Sequence, residues 1–269
     1  GGPEGQLNAW PLDESYIDGV AGAPTAGIIN DAAAYPVLSR ELLIELNERD
    51  GESNITTGYH AIEFLLWGQD FFADSAGLRS FEDFSTAPNA DRRARYLNLV
   101  ADLVVEDLEG LVTAWAPGAD NYRRAFEALP TAEALKRLLT GAVYLAGDEL
   151  AGERMYVAYD TRGQEDEQSC FSDNTHMDIL GNFFGVLRIV EVTRLLTLPG
   201  LSGTEVAARL QARLSSLPLQ IFSIPVPFDQ AIVDEVVGRP QILHVVGELE
   251  ALAQDLVVAS RLLGAPVEF

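Results

Sequence analysis

The stretch Gly58-Tyr59-His60-Ala61-Ile62-Glu63-Phe64-Leu65-Leu66-Trp67-Gly68 is apolar except for two strongly polar side chains, His60 and Glu63. Three residues apart, they share one helix face, about one turn from each other. An ionised carboxylate in an otherwise oily helix is costly unless something pairs with it. Two readings are open. Either the pair is buried and only joins helices, or it holds a ligand such as a metal ion. A metal-bound imidazole needs a supporting partner, and His-x-x-Glu supplies two ligands at most. The zinc-peptidase signature His-Glu-x-x-His is absent, because position 61 is Ala and position 64 is Phe.

A second set of chemical residues runs from Gln164 to Asp178, where the acidic segment Glu165-Asp166-Glu167 leads through Ser169-Cys170-Phe171 into a helix start. Ser172 or Asp173 is the expected N-cap, which puts His176 and Asp178 in the first turn. Helix amides and the dipole there favour anionic groups. Capping beside a solvated acidic loop explains the same pattern. Cys170 is the only cysteine, so an internal disulfide and a multi-cysteine zinc site are both excluded. A packed small residue accounts for it better than a nucleophile does. A third set is Asp148-Glu149-Leu150-Ala151-Gly152-Glu153-Arg154. Glu149 and Glu153 are four apart, a spacing that suits carboxylate bridging of a metal, while Arg154 could neutralise them in an ion-pair network. Gly141, Gly147 and Gly152 suggest close approach by another helix. The lone His244 reads as structural. No Gly-rich phosphate loop and no Gly-x-Ser-x-Gly elbow is present, so no catalytic residue is assigned.

These residues sit in a chain that reads as helix nearly throughout. The 3.6-residue period marks helices over 35–47, 54–72, 88–115, 120–128, 131–159, 173–198, 203–215, 227–237 and 240–263. Pro88 and Pro240 suit first turns, and Thr131 reads as an N-cap. Residues 219–226 are the best strand candidate, but their prolines argue for a loop. The pattern predicts an all-α fold of two antiparallel helical bundles packed together, 1–130 and 131–269, the first possessing too few long helices to close on its own. Residues 1–34 are rich in Gly and Pro yet carry Trp10, Tyr16, Ile28 and Ile29. They read as a loop packed on the helical body, with Asp13 near the site.

Of the 269 residues, 41 are Asp or Glu and 18 are Lys or Arg, a net charge of −23. Nucleic acid is repelled by such a surface, and cations or basic partners suit it. Solubility or a salt-adapted proteome explains the same balance. Lys136 is the only lysine. No run of about 18 apolar residues exists to span a membrane, and the opening Gly-Gly-Pro-Glu-Gly has no signal-peptide character.

Three stretches together resemble the imelysin-like family, which includes iron-regulated protein A and the insulin-cleaving membrane peptidases. They are Asn8-Ala9-Trp10-Pro11-Leu12-Asp13-Glu14, the 58–68 helix, and Ser169-Cys170-Phe171-Ser172-Asp173-Asn174-Thr175-His176. The family signature Gly-x-His-x-x-Glu is matched by Gly58, His60 and Glu63. The resemblance implies a pair of helical bundles with the signature at their interface. It implies metal ligation by His60, Glu63 and His176, and ligand contacts from Asp13, Arg154, Ser169 and Asp173. The cofactor it implies is a divalent or ferric metal ion, iron or zinc. The function it implies is that of an exported, periplasmic or cell-surface lipoprotein linked to iron uptake, binding a metal ion or small ligand. A metallopeptidase and a haem- or carbohydrate-binding surface protein are the alternatives, and the peptidase activity rests on the resemblance alone. Family members carry a leader and a further helical segment ahead of Asn8. The resemblance therefore implies a missing N-terminal membrane anchor and a first bundle completed by the missing segment, as a separate peptide.

Overall fold

The structure is a computed structural model and describes residues 2–269. It is all-α: among the described residues there is no β-strand, only an isolated bridge between Val20 and Ala23. None of the helices among the described residues is long and apolar enough to cross a membrane. The chain divides into two compact units, Gly1–Arg123 and Arg124–Phe269.

The first unit contains the short helices α1 (Glu4–Leu7) and α2 (Glu14–Ile17), then α3 (Arg40–Leu46), α4 (Gly58–Trp67) and α5 (Ala90–Trp115). Ser39 caps α3 by accepting from the Leu42 amide, which satisfies one of the amides a helix start leaves open. The N-terminal segment buries Leu7, Leu12, Ile17, Ile28 and Ile29. Arginines of α5 fasten it. Arg92 donates to the Ile28, Ile29 and Tyr35 carbonyls, and Arg95 donates to Leu38. Irregular backbone without ladder partners needs such donors when it is covered.

α6 (Tyr122–Glu127) straddles the boundary, and the second unit proper opens with a continuous helical run. It begins as α7 (Thr131–Tyr144), winds as a π-helix over Leu145–Tyr156 and ends as α8 (Val157–Thr161). Then come α9 (Thr175–Val192), α10 (Glu205–Phe222), α11 (Phe228–Val233) and α12 (Gly238–Leu262). α12 packs on the π-helical run, α10 and α7 around one core that includes Leu150, Phe183, Leu210, Phe228 and Leu249.

Several boundaries differ from the sequence expectation. Pro130, not Thr131, occupies the cap position of α7, without a side-chain bond. α10 continues past position 215 to Phe222 with Pro218 inside it. Proline forfeits a backbone bond there, but Leu217 and Ile221 on either side are buried, and their burial is worth about 1.5–3 kcal/mol each. Of the three glycines expected at a helix contact, only Gly147 is one. A Cβ there would meet Ala253 at 3.0 Å and the Phe269 ring at 2.5 Å, whereas Gly141 faces open space.

Candidate functional site

The placement of α4 is fixed before its two polar residues are reached. Gly58, its first residue, has φ +91°, and a Cβ there would stand 2.5 Å from the Leu7 carbonyl oxygen. Only glycine combines that backbone conformation with that approach. Just ahead, Asn47 acts as a hub. Its side-chain oxygen accepts from the Thr56 amide at 3.0 Å and the Thr57 hydroxyl at 3.2 Å, and its amide donates to Gly5 at 2.9 Å. The Thr56 hydroxyl donates to Leu43 at 2.6 Å. Buried Tyr96 of α5 donates to the Thr56 carbonyl at 2.9 Å, and burial holds that phenol well above its usual range. Gly68, at φ +75°, ends the helix.

His60 and Glu63 are both buried, 3% and 8% exposed, and meet directly: His60 Nδ1 lies 3.0 Å from Glu63 Oε2. A carboxylate accepts only, so Nδ1 carries the hydrogen. That leaves the lone pair of the neutral ring on Nε2, the tautomer that carboxylate support gives a ligating or basic imidazole. Trp10 lies edge-on to the imidazole, with ring centroids 4.9 Å apart. Asp13, three residues on, caps α2. Its carboxylate takes the Ser15 amide at 2.9 Å and the Ser15 hydroxyl at 2.6 Å.

Below α4 lies a cluster that the sequence reading did not single out. Asp18, 1% exposed, is gripped by Arg93 through Nε at 2.6 Å and Nη2 at 2.9 Å, and by Arg79 Nη1 at 3.0 Å. Burial pushes the Asp18 carboxyl up. The Arg93 hydrogen bonds and the charges of Arg93 and Arg79 outweigh this and leave it below the usual range. Arg79 also reaches Asp83 at 3.2 Å and lies over the Phe64 ring, one residue past Glu63. A cavity of about 330 Å³ opens at this end of α4, lined by Trp67, Gly68, Phe71, Phe72 and Arg79 among others.

In the second unit, Glu167, Gln168, Ser169, Cys170 and Phe171 are buried, so this part of the segment is not a solvated loop. The Ser169 amide donates to the Thr175 hydroxyl at 3.1 Å, and the Ser169 hydroxyl donates to Asp178. Neither Ser172 nor Asp173, the two expected caps, takes that role: Asn174 occupies the cap position, and Asp173 sits at φ +55°. His176 is in the first turn of α9, and its Nδ1 is buried with no hydrogen-bond partner among the described residues. Arg154 Nε is in the same condition, while its Nη2 donates to Glu149 at 3.2 Å. The π-helical winding explains that pairing. Its i to i+5 hydrogen bonds bring residue 154 over residue 149, where α-helical winding would have set Glu153 there. A second cavity, about 480 Å³, lies among α9 and α10 and is lined by none of the candidate residues.

No three His, Cys, Asp or Glu side chains among the described residues gather as a metal site. The His60–Glu63 donor set fits an imidazole ligand with its carboxylate support, and is short of the four donors of a closed zinc centre.

The Imelysin (peptidase M75) family model matches residues 2–256. Among solved structures, the chain is similar to a protein described as an iron-regulated protein A precursor from Parabacteroides distasonis. The TM-score is 0.63 at 15% identity, over 96% of this chain and 74% of that one. No functionally curated protein matches. The chain belongs to the imelysin family.

Proposed function

From that membership we propose that this chain is an exported, iron-linked binding protein that holds a metal ion, or a small metal-bearing ligand, on His60. The observation that carries the reading is the buried 3.0 Å contact between His60 Nδ1 and Glu63 Oε2 inside the family signature. Glu63 fixes the ring, and Nε2 makes the contact. A site short of protein donors suits a metal whose remaining positions are filled by water or by its own small ligand. Asp13 is proposed as a further ligand contact in the same unit, and Arg154, Ser169, Asp173 and His176 as ligand contacts of the second unit. The orphaned buried nitrogens of Arg154 and His176 support two of these, because buried polar atoms without partners are rare. The description of the Parabacteroides protein as an iron-regulated precursor supports the iron link and the export, and the proposed location is the periplasm or the cell surface.

Metal analysis of protein purified without chelators tests this. The expected result is stoichiometric iron or zinc, lost in His60→Ala with the helical circular dichroism unchanged, and weakened about 10–100-fold in Glu63→Gln. Metal content that is the same in His60→Ala would remove His60 from the site. The family's peptidase label motivates a second assay. The His-Glu-x-x-His mechanism needs two helical histidines beside a base, and α4 offers one, so chelator-sensitive insulin cleavage lost in Glu63→Gln would replace this reading with a peptidase.

A further inference from the structure

The cavity beside α9 and α10 is built by the second unit alone. Leu187, Val190 and Glu191 of α9 line it, and so do Gln211, Leu214 and Ser215 of α10, each set at i, i+3, i+4 on one helix face. Arg194, Leu196 and Thr197, from the turn after α9, complete the lining. Val190 and Leu214 belong to the core, and Leu187 and Leu196 pack half-buried against it, so the floor is apolar. At about 480 Å³ the volume falls within the range of small-molecule sites. That is room for about 15 non-hydrogen atoms, at the roughly 30 Å³ each water takes in the liquid.

The rim is polar, and most of its groups are already engaged. Glu191 is held by Arg188 at 3.4 Å. The Gln211 amide donates to the Ser215 hydroxyl at 3.1 Å, which in turn donates to the Gln211 carbonyl at 2.8 Å. The Thr197 hydroxyl donates to the Arg194 carbonyl at 2.8 Å and, with the Thr197 amide at 2.9 Å, fixes that residue at φ +51°. The exposed Arg194 guanidinium alone has neither an ion pair nor a hydrogen bond among the described residues. Charge makes this unusual. Acids outnumber bases by 41 to 18, and the arginines further along α10 are taken, Arg209 by Asp255 and Arg213 by Glu248. A free planar fork of N–H donors above an apolar floor lacks an acceptor that arrives with an apolar body.

We propose that this cavity binds an amphipathic monocarboxylate, with an apolar chain of about eight to twelve carbons along Leu187, Val190, Leu196 and Leu214 and its carboxylate on the Arg194 guanidinium. The chain supplies affinity and the carboxylate selects the ligand, because a neutral head leaves Arg194 unpaired and a cationic head is repelled by it. Octanoate, 1-octanol and octyltrimethylammonium, each kept below its micelle concentration or solubility limit and titrated into the full chain by calorimetry, test it. Octanoate should bind stoichiometrically, and the other two at least about tenfold more weakly. Arg194→Gln should bring octanoate down to the affinity of 1-octanol and leave 1-octanol unchanged. Leu187→Trp, which fills the cavity, should abolish both at an unchanged melting temperature, and His60→Ala should bind octanoate as the wild type does. Equal affinity for octanoate and 1-octanol would overturn the proposal, as would octanoate binding indifferent to Arg194→Gln or to Leu187→Trp. So would loss of octanoate in His60→Ala, which would give the ligand to the signature helix instead.

Discussion

Each unit holds an aspartate gripped by two arginines, and the two clusters differ in depth. In the first unit, Asp18 and the side chains of Arg79 and Arg93 are all buried. In the second, Asp255 of α12 takes Arg209 at 2.6 Å and Arg213 at 3.3 Å from α10, but the Arg209 side chain is 46% exposed. The chemistry is the same and the solvent is not. Asp255 is buried too, but its arginines reach solvent, where water screens the pairs and takes over the solvation of the arginines at small cost. In the interior, the three groups owe their solvation to one another, and removing one leaves the others as uncompensated charge. The first cluster ties the N-terminal segment to α5 and, through Arg79 on Phe64, to the helix bearing His60 and Glu63. The second joins two helices that an apolar core already holds.

Breaking Asp18 should therefore have the largest effect. Asp18→Ala is expected to cost about 3–5 kcal/mol in urea unfolding and to loosen α4, so that any ligand bound at His60 is lost too. A loss as small as that of a surface pair would erase the distinction between the clusters. An intermediate effect is expected with acid. The folded-state pKa of Asp18 lies below its unfolded value. Its contribution is thus fully present above the unfolded aspartate value of about 3.9 and disappears as pH falls through the lower folded value. Below about pH 4 the wild type should lose stability more steeply than Asp18→Asn, and parallel curves would show that Asp18 is not the group responsible. The smallest effect belongs to the second cluster. Asp255→Ala should cost about 1 kcal/mol or less, and 1 M salt should shrink that cost further while leaving the Asp18→Ala cost intact. Equal salt sensitivity of the two costs would mean that water reaches Asp18 after all.

The contrast also explains what could be read from the sequence. His60 and Glu63 stood out because they interrupt an apolar run, an anomaly visible within a single turn. Asp18 lies between Ile17 and Gly19 in a turn-rich stretch and reads as a turn residue. Arg93 stands among Arg92 and Arg95 and reads as part of a solvated face. Their contact spans 75 positions, which no local pattern encodes. One signal was present. Arg93 precedes Tyr96 and Val100 by three and seven residues, which puts it on the apolar face of α5 where a cation needs a partner. The all-α class and most long helices were legible from period alone. The π-helical winding at 145–156 was not, because the apolar period of the sequence does not separate i to i+5 from i to i+4 hydrogen bonding over so short a stretch. The continuation of α10 through Pro218 was hidden for another reason: tertiary burial overrode a local breaker.

The edge contact between Trp10 and His60 has an optical consequence. It places an indole fluorophore against the imidazole of the family signature, and indole emission responds to a charge arriving at its ring. Protonation of His60, or a metal on its far nitrogen, should therefore be visible as a change in tryptophan emission without any label. The change should vanish in Trp10→Phe while the signals of Trp67 and Trp115 remain, giving a direct spectroscopic handle on events at a site the solvent hardly reaches.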